Sequence, residues 1–356
     1  MEAEPRAARH LFVVLGAGAS YDCVSEETRR DRTNGDLKPP LVSELFDDRF
    51  TSILNEYPRA AQIAPSVRLA LRTGVVGLED FLEDTLRLSP HQHLREAYWA
   101  IPLYLQHLFF EVSNGYTTNP DNYDRLIATT LELDRITFIT LNYDTILDGR
   151  LAIQAQRAPD SMDWYIDRSR KWSLVKLHGS INWRRRVLNA PHKNRAVGGT
   201  FANDFAALDD RIELDKSLEF IGRGGIEGYR TGGELRSNLY FPALAVPIRT
   251  KTEETWCPEE QIAEIKDHQT YSYEGFNVLV IGYRAVDDDV IDLFRDSRPL
   301  RSLLVVDRNK EDALAVAARF CDSMPSWAID RDAAAFDGNF NNFAQSSAMD
   351  EFIANV

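Results

Sequence analysis

The sequence predicts an α/β protein built on a doubly wound, mostly parallel sheet with a helical insertion. Two observations carry this. Short continuous apolar runs that end in glycine or polar residues recur along the chain, and helical patterns follow most of them. Such runs read as strands buried on both faces, and strand, polar tip and helix in succession is the rhythm of a doubly wound sheet. The notable polar residues Ser20, Asn142, Asp144, His178, Tyr283 and Asp307 also all fall at the ends of these runs. Ligands of open α/β sheets sit outside the carboxyl ends of the strands, so one crevice would collect all six residues.

The first run, Leu11-Phe-Val-Val-Leu15, leads directly into Gly16-Ala17-Gly18-Ala19-Ser20. Glycine lets the backbone turn sharply and approach a ligand closely. A helix starting just after the turn would aim its unpaired N–H groups and positive dipole end at an anion such as a pyrophosphate. The stretch is half of a dinucleotide fingerprint. Tyr21 stands where the third glycine belongs, and no acidic residue closes a second strand about 20 residues later. A plain tight strand-to-helix turn accounts for the same residues equally well.

Residues 25–40 are polar, are closed by Pro39-Pro40, and read as a loop or lid. From Leu41 to about Asn114 the apolar spacing is helical, and Tyr98 to Phe110 is dense enough for a core helix, with Pro102 near its start or at a kink. Asn119-Pro120-Asp121 breaks the pattern and Tyr123 to Leu133 resumes it, so the insertion spans about 41–133. A second strand, Arg135 to Leu141, ends in Asn142-Tyr143-Asp144 and precedes a helix from Thr145 to Gln154. A third, Trp172 to Leu177, ends in His178-Gly179-Ser180 and runs on to Trp183. Residues 184–240 read as an irregular excursion. Asn277 to Ile281 ends in Gly282-Tyr283, with a helix from about Asp288, and Leu303 to Val306 ends in Asp307-Arg308-Asn309, with a helix from Glu311 to Phe320. Residues 1–330 read as one domain and 331–356 as a tail with a short helix.

At 356 residues the chain is long enough for one large core or two modest ones, and its 44% hydrophobic and 27% charged content is that of an ordinary soluble protein. A formal net charge of −14 argues against direct nucleic-acid binding and against an anionic membrane surface. The polar N-terminus and the short apolar run after it predict neither a signal peptide nor a membrane span. Cys23, Cys257 and Cys321 are far apart. They form neither a disulfide framework nor a CxxC metal site, which points to a reducing cytoplasm.

His178 is either a packed structural histidine or a general base, since its unperturbed pKa near 6.5 suits proton transfer at neutral pH and Gly179 and Ser180 leave space beside the ring. Asn142 is either the cap of the following helix or a neutral amide that fixes a sugar hydroxyl or a water, with Asp144 orienting it. Asp287-Asp288-Asp289 reads as helix-start capping before it reads as a metal site. Arg184-Arg185-Arg186 reads as a solvated loop or a partner contact.

In order along the chain, Gly16-Ala-Gly-Ala-Ser20, Thr140-Leu-Asn-Tyr-Asp144, Leu177-His-Gly-Ser180, Ile281-Gly-Tyr283 and Val305-Val-Asp-Arg-Asn309 resemble the sirtuin superfamily. Within it, the resemblance is to the bacterial sirtuin-like domains that hydrolyse NAD in antiphage defence. It implies a Rossmann-like fold and NAD as substrate, with Gly16, Ala17, Gly18, Ala19 and Ser20 cradling the pyrophosphate. Asn142 would hold the nicotinamide ribose and the attacking water, with Asp144 supporting it and His178 as the base. Gly282 and Tyr283 would line the adenosine side, and Asp307 would accept from the adenine ribose. The four-cysteine zinc ribbon of protein-deacylating sirtuins is missing, as is their Gly-Ile-Pro-Asp-Phe-Arg segment, and Leu141 replaces a glutamine. The resemblance therefore implies NAD hydrolysis without zinc rather than deacylation. It also implies a homo-oligomer, or a defence partner such as a DNA-translocating ATPase or a sensor subunit. The rival expectations are a non-catalytic NAD or ADP-ribose sensor and a nicotinamide oxidoreductase.

Overall fold

The apolar runs do become parallel strands, because alternate residues of each find a separate core on either side. The structure, a computed structural model, describes residues 9–23, 38–74, 77–115, 121–188, 213–222, 240–247, 256–271, 275–284, 289–295, 297–325 and 329–356. Strands β1 (His10–Leu15), β2 (Arg135–Thr140), β3 (Trp172–Lys176), β7 (Phe276–Ile281), β8 (Leu300–Asp307) and β9 (Ala335–Asp337) form one six-stranded sheet in the order β3-β2-β1-β7-β8-β9. Every pairing in it is parallel. Leu11, Val13 and Leu15 of β1 enter one core, while Phe12 and Val14 enter the other. Helices α4 (Asp121–Thr130), α5 (Ile146–Ala155), α9 (Phe340–Gln345) and α10 (Ser347–Ala354) supply side chains to the first core. Helices α6 (Glu259–Tyr271), α7 (Asp289–Phe294) and α8 (Lys310–Ser323) supply the second. This is the doubly wound, Rossmann-like α/β architecture expected, and the order reverses at β1, between β2 and β7.

The helix after the glycine turn, α1 (Ala17–Asp22), is only six residues long. Between α1 and β2 lies a helical lobe with its own core. Helices α2 (Pro58–Thr73) and α3 (Gln92–Gly115) pack there with a π-helical segment, Phe81–Arg87. The core helix expected over Tyr98 to Phe110 is the middle of α3, which continues through Pro102. The insertion is shorter than 41–133, because α4 belongs to the main sheet's core through Tyr123, Leu126 and Ile127.

Three further expectations are corrected. The chain does not run straight from β3 to Trp183. It turns at Gly179 (φ +80°) and enters β4 (Gly179–Arg186), the middle strand of a small antiparallel sheet with β5 (Glu219–Phe220) and β6 (Tyr240–Leu244). Arg184, Arg185 and Arg186 therefore lie on a strand rather than a loop. Arg184 pairs with Glu219 at 3.2 Å, Arg186 pairs with Asp215 at 3.1 Å, and Arg185 stacks over Trp256. Nor are residues 331–356 an appended tail. β9 completes the sheet edge, and Phe340, Phe343, Met349 and Ile353 are fully part of the main core. Most of the expected lid at 25–40, the Asn119-Pro120 break, Asp287 and Asp288, and much of 184–240 lie outside the described residues.

Candidate active site

The crevice opens where the sheet order reverses, at the carboxyl ends of β1 and β7. Two backbone turns meet there at a distance only glycine allows. A Cβ on Gly16 would stand 2.4 Å from the Gly282 carbonyl oxygen, and one on Gly18 would stand 2.8 Å from the Gly282 Cα. Gly282 itself sits at φ +61°. The contact is hydrogen-bonded: Gly16 N–H donates to the Ile281 carbonyl at 3.0 Å and Gly18 N–H to the Gly282 carbonyl at 3.1 Å. Ala19 N–H donates back to the Gly16 carbonyl. Three of the amides expected to face a diphosphate are thus already taken. What the glycines provide is close approach of two loops, with Ala17 and Ser20 on the cavity wall.

Asn142, just past β2, ties this turn down. Its side-chain amide donates to the Gly16 carbonyl at 2.9 Å and to Ser20 Oγ at 3.0 Å. Its own backbone N–H donates to Thr140 Oγ1 at 3.1 Å. Ser20 Oγ lies 3.2 Å from the Tyr123 hydroxyl, which carries the network into the core. Asp144 is buried beside it and caps α5 by accepting the Ile146 N–H at 3.0 Å. Burial raises the Asp144 carboxyl pKa, and the Lys176 ammonium opposes the rise.

His178 occupies the turn between β3 and β4, half-buried, and its backbone is clamped from the far side. Ala245 N–H donates to the His178 carbonyl at 2.9 Å, and a Cβ on Gly179 would stand 2.0 Å from the Ala243 carbonyl. The Tyr143 ring lies 6.5 Å from the imidazole, centroid to centroid, and its hydroxyl donates to the Ala245 carbonyl at 2.6 Å. The small sheet therefore sets where this histidine stands.

These residues share one cavity of about 1080 Å³, just above the usual range of roughly 300–1,000 Å³ for small-molecule sites. Gly16, Ala17, Gly18, Ser20, Asn142, Asp144, His178, Gly282, Tyr283 and Asp307 all line it. Ala19 does not, being fully buried in the core behind the turn. Asp307, half-buried at the end of β8, accepts the Asn309 N–H at 3.1 Å. Burial raises its pKa and that hydrogen bond lowers it. The helical lobe forms the opposite wall through Trp99, Phe109 and Arg87, whose guanidinium pairs with the buried Glu83 at 2.7 Å.

Sequence reasoning missed the support beneath the site. Lys176 is fully buried, and its ammonium donates to the Asp144 carbonyl at 2.6 Å and to Asp148 Oδ2 at 3.1 Å. Asp148 Oδ1 accepts from the Tyr165 hydroxyl, which accepts in turn from Asn182. A lysine inside the run Trp-Ser-Leu-Val-Lys-Leu was the available signal, since a charge in a strand buried on both faces needs a partner. It also missed Arg87, Trp99 and Phe109, because the lobe's helical pattern does not tell which of its faces meets the crevice.

Matched against known protein families and against curated proteins, the chain finds no counterpart. Among the described residues, no group of three or more His, Cys, Asp or Glu side chains is placed to hold a metal ion. No helix among them is long and apolar enough to cross a membrane.

Proposed function

We propose that this chain is an NAD+ glycohydrolase that releases nicotinamide and ADP-ribose. The observation that carries the reading is the convergence of Asn142 and His178, from the tips of adjacent strands, on one cavity with the Gly16–Gly282 contact and Asp307. The cavity lies at the switch point where such sheets take dinucleotides. The order of motifs, which resembles that of sirtuin-like NAD hydrolases, supports the same substrate.

The chemistry asks little beyond positioning. The C1′–N bond breaks with its electron pair leaving on nicotinamide, whose cationic ring nitrogen becomes neutral. A water oxygen bonds to C1′ of the oxocarbenium-like ribose, and His178 takes the water's proton and passes it to solvent. Both side-chain N–H groups of Asn142 are held by Gly16 and Ser20, so its Oδ1 is the atom that orients the water or a ribose hydroxyl. Preorganised dipoles and orientation supply much of such a barrier. In the cell, an unrestrained NAD hydrolase would drain the cofactor pool. The same proposal therefore includes control by self-association or by a defence partner, in an abortive-infection role.

The test is incubation of the purified chain with NAD+, following nicotinamide, ADP-ribose and NADH. Release of nicotinamide with ADP-ribose supports the hydrolase. Binding without turnover would replace it with a sensor, and reduction of the ring with an oxidoreductase.

A further inference from the structure

His178 stands just beyond the last bond of the main sheet. β3 is the edge strand, and its ladder with β2 ends where Leu177 N–H donates to the Thr140 carbonyl at 3.0 Å. What holds the histidine must therefore come from outside that sheet. β4 and β6 change register between Gly179 and Arg184, and such an irregularity releases backbone groups from the ladder for other partners. Ile181 uses both of its groups in this way. Its N–H donates to the Tyr143 carbonyl at 3.2 Å, and its carbonyl accepts from the Gln106 side-chain amide of α3 at 2.8 Å. Tyr143 closes the circuit, since its hydroxyl donates to the Ala245 carbonyl while Ala245 N–H donates to the His178 carbonyl. The Tyr143 ring also meets Phe109 of α3 edge to face, 5.4 Å between centroids. Tyr143, Ile181 and Leu244 accordingly belong to the core of the helical lobe rather than to either core of the main sheet.

We propose that helix α3 completes the site, with Gln106 and Tyr143 as positioning residues that hold His178 at the cavity. Gln106 is buried and does not line the cavity, so it acts only through Ile181 and Tyr143. A lobe that merely covered the sheet would be served by an apolar side chain there, because a buried amide is costly unless it is hydrogen-bonded. The inference rests on the reading of His178 as the base of an NAD hydrolase and adds which part of the fold keeps it in place. A displaced base costs rate rather than affinity, since orientation is needed at the reacting atoms.

The experiment compares the full chain with Tyr143→Phe and Gln106→Met, using His178→Gln to assign the histidine's signal. With labelled histidines, the His178 Cε1–H resonance is followed by NMR through its titration, beside melting curves and steady-state nicotinamide release from NAD+. Tyr143→Phe keeps the ring and removes one hydroxyl, and Gln106→Met alters no aromatic ring, so a moved resonance reports a moved imidazole. Both variants are expected to shift that resonance and its titration midpoint. They should also lower kcat by roughly 10- to 100-fold with KM little changed. A wild-type resonance and titration in the folded variants overturns the inference, as does an unchanged kcat, since either result leaves these residues with stability alone. Movement in Tyr143→Phe but not in a folded Gln106→Met overturns the part given to α3. If Gln106→Met does not fold, Tyr143→Phe decides alone. If the wild type releases no nicotinamide, the hydrolase reading fails, and the resonance still decides whether the lobe holds His178.

Discussion

Asn142 donates its side-chain amide to the Gly16 carbonyl across 2.9 Å, joining the tips of β2 and β1 although 126 residues separate them. Because a carbonyl only accepts, the amide nitrogen must face it, and the same nitrogen reaches Ser20 Oγ. Asn142 therefore holds the glycine turn in place as well as facing the cavity, so its substitution should affect folding and chemistry together.

Asn142→Ala is expected to lower stability by about 1–3 kcal/mol, since it strips a buried carbonyl and a hydroxyl of their donor. Asn142→Asp should be worse, because a carboxylate would then face the Gly16 carbonyl. His178→Ala should separate the two effects, with nicotinamide release reduced by roughly 10²–10⁴-fold and the melting temperature little changed. Turnover and melting curves on all three variants check this; near wild-type turnover in a folded His178→Ala would remove the histidine from the mechanism.

Two glycines with nearly the same φ should respond differently to alanine. Gly282 (φ +61°) would place its Cβ 2.4 Å from Ala19 N, whereas Gly74 (φ +64°), capping α2, would meet nothing within 4 Å among the described residues. Gly74→Ala should cost only the left-handed backbone penalty, roughly 1–2 kcal/mol. Gly282→Ala adds a backbone clash between the two loops, so it should be the more destabilising and should also abolish ligand binding. Denaturant titrations that ranked the two equally would count against the loop contact described here.

Acid should weaken the fold through a cluster at the far end of the sheet. His10 and His268 each have their pKa lowered to about 3, chiefly by burial, with Arg135 adding repulsion. Thr137 Oγ1 lies 3.1 Å from His10 Nε2 and 2.8 Å from His268 Nδ1, while Arg135 Nε donates to His268 Nε2 at 3.1 Å. Glu264 Oε1 also lies 3.1 Å from His268 Nε2, but the Arg135 donation needs that nitrogen unprotonated, and Arg135 supplies the counter-charge to Glu264, so the arrangement suits neutral imidazoles. In the unfolded chain both histidines take a proton below about pH 6.5, so the unfolded state binds more protons and stability falls as pH drops from there toward 3. At pH 5 the loss should approach ~2 kcal/mol per histidine. Unfolding free energies from pH 8 to 5 test this, and His268→Gln should flatten the slope.

The buried Lys176–Asp148 pair should behave as a unit. Lys176→Met leaves Asp148 uncompensated at 2% exposure, a change that typically costs about 3–5 kcal/mol. Adding Asp148→Asn should recover part of it. A double variant no more stable than the single one would show that the Tyr165 and Asn182 contacts, rather than the charge pair, carry the network.

If turnover is gated by assembly, specific activity should rise with protein concentration or on addition of a partner, in step with the oligomeric state measured by light scattering. A monomer fully active at every dilution would end that part of the proposal.

The residue order made several things readable. Short, mostly apolar runs announced five of the six strands in the main sheet, because a strand buried on both faces tolerates few polar side chains. Polar residues at their ends announced the crevice, because tips are where such a strand first meets solvent. β9 left no signal. Ala335–Asp337 is three residues long and only partly buried, too short to show a period, and it is a strand because β8 offers it an edge. The turn of β4 out of the main sheet was equally silent, since it follows from the approach of Gly179 to Ala243, 64 positions along the chain. The pairing of Arg308 with Asp22 shows the limit most plainly. Arg308 is visible in sequence beside Asp307, yet the carboxylate that holds its guanidinium lies 286 residues away. Contacts of that span arise when the strand order brings α1 and the β8 tip together, and neither local pattern nor composition records such an encounter.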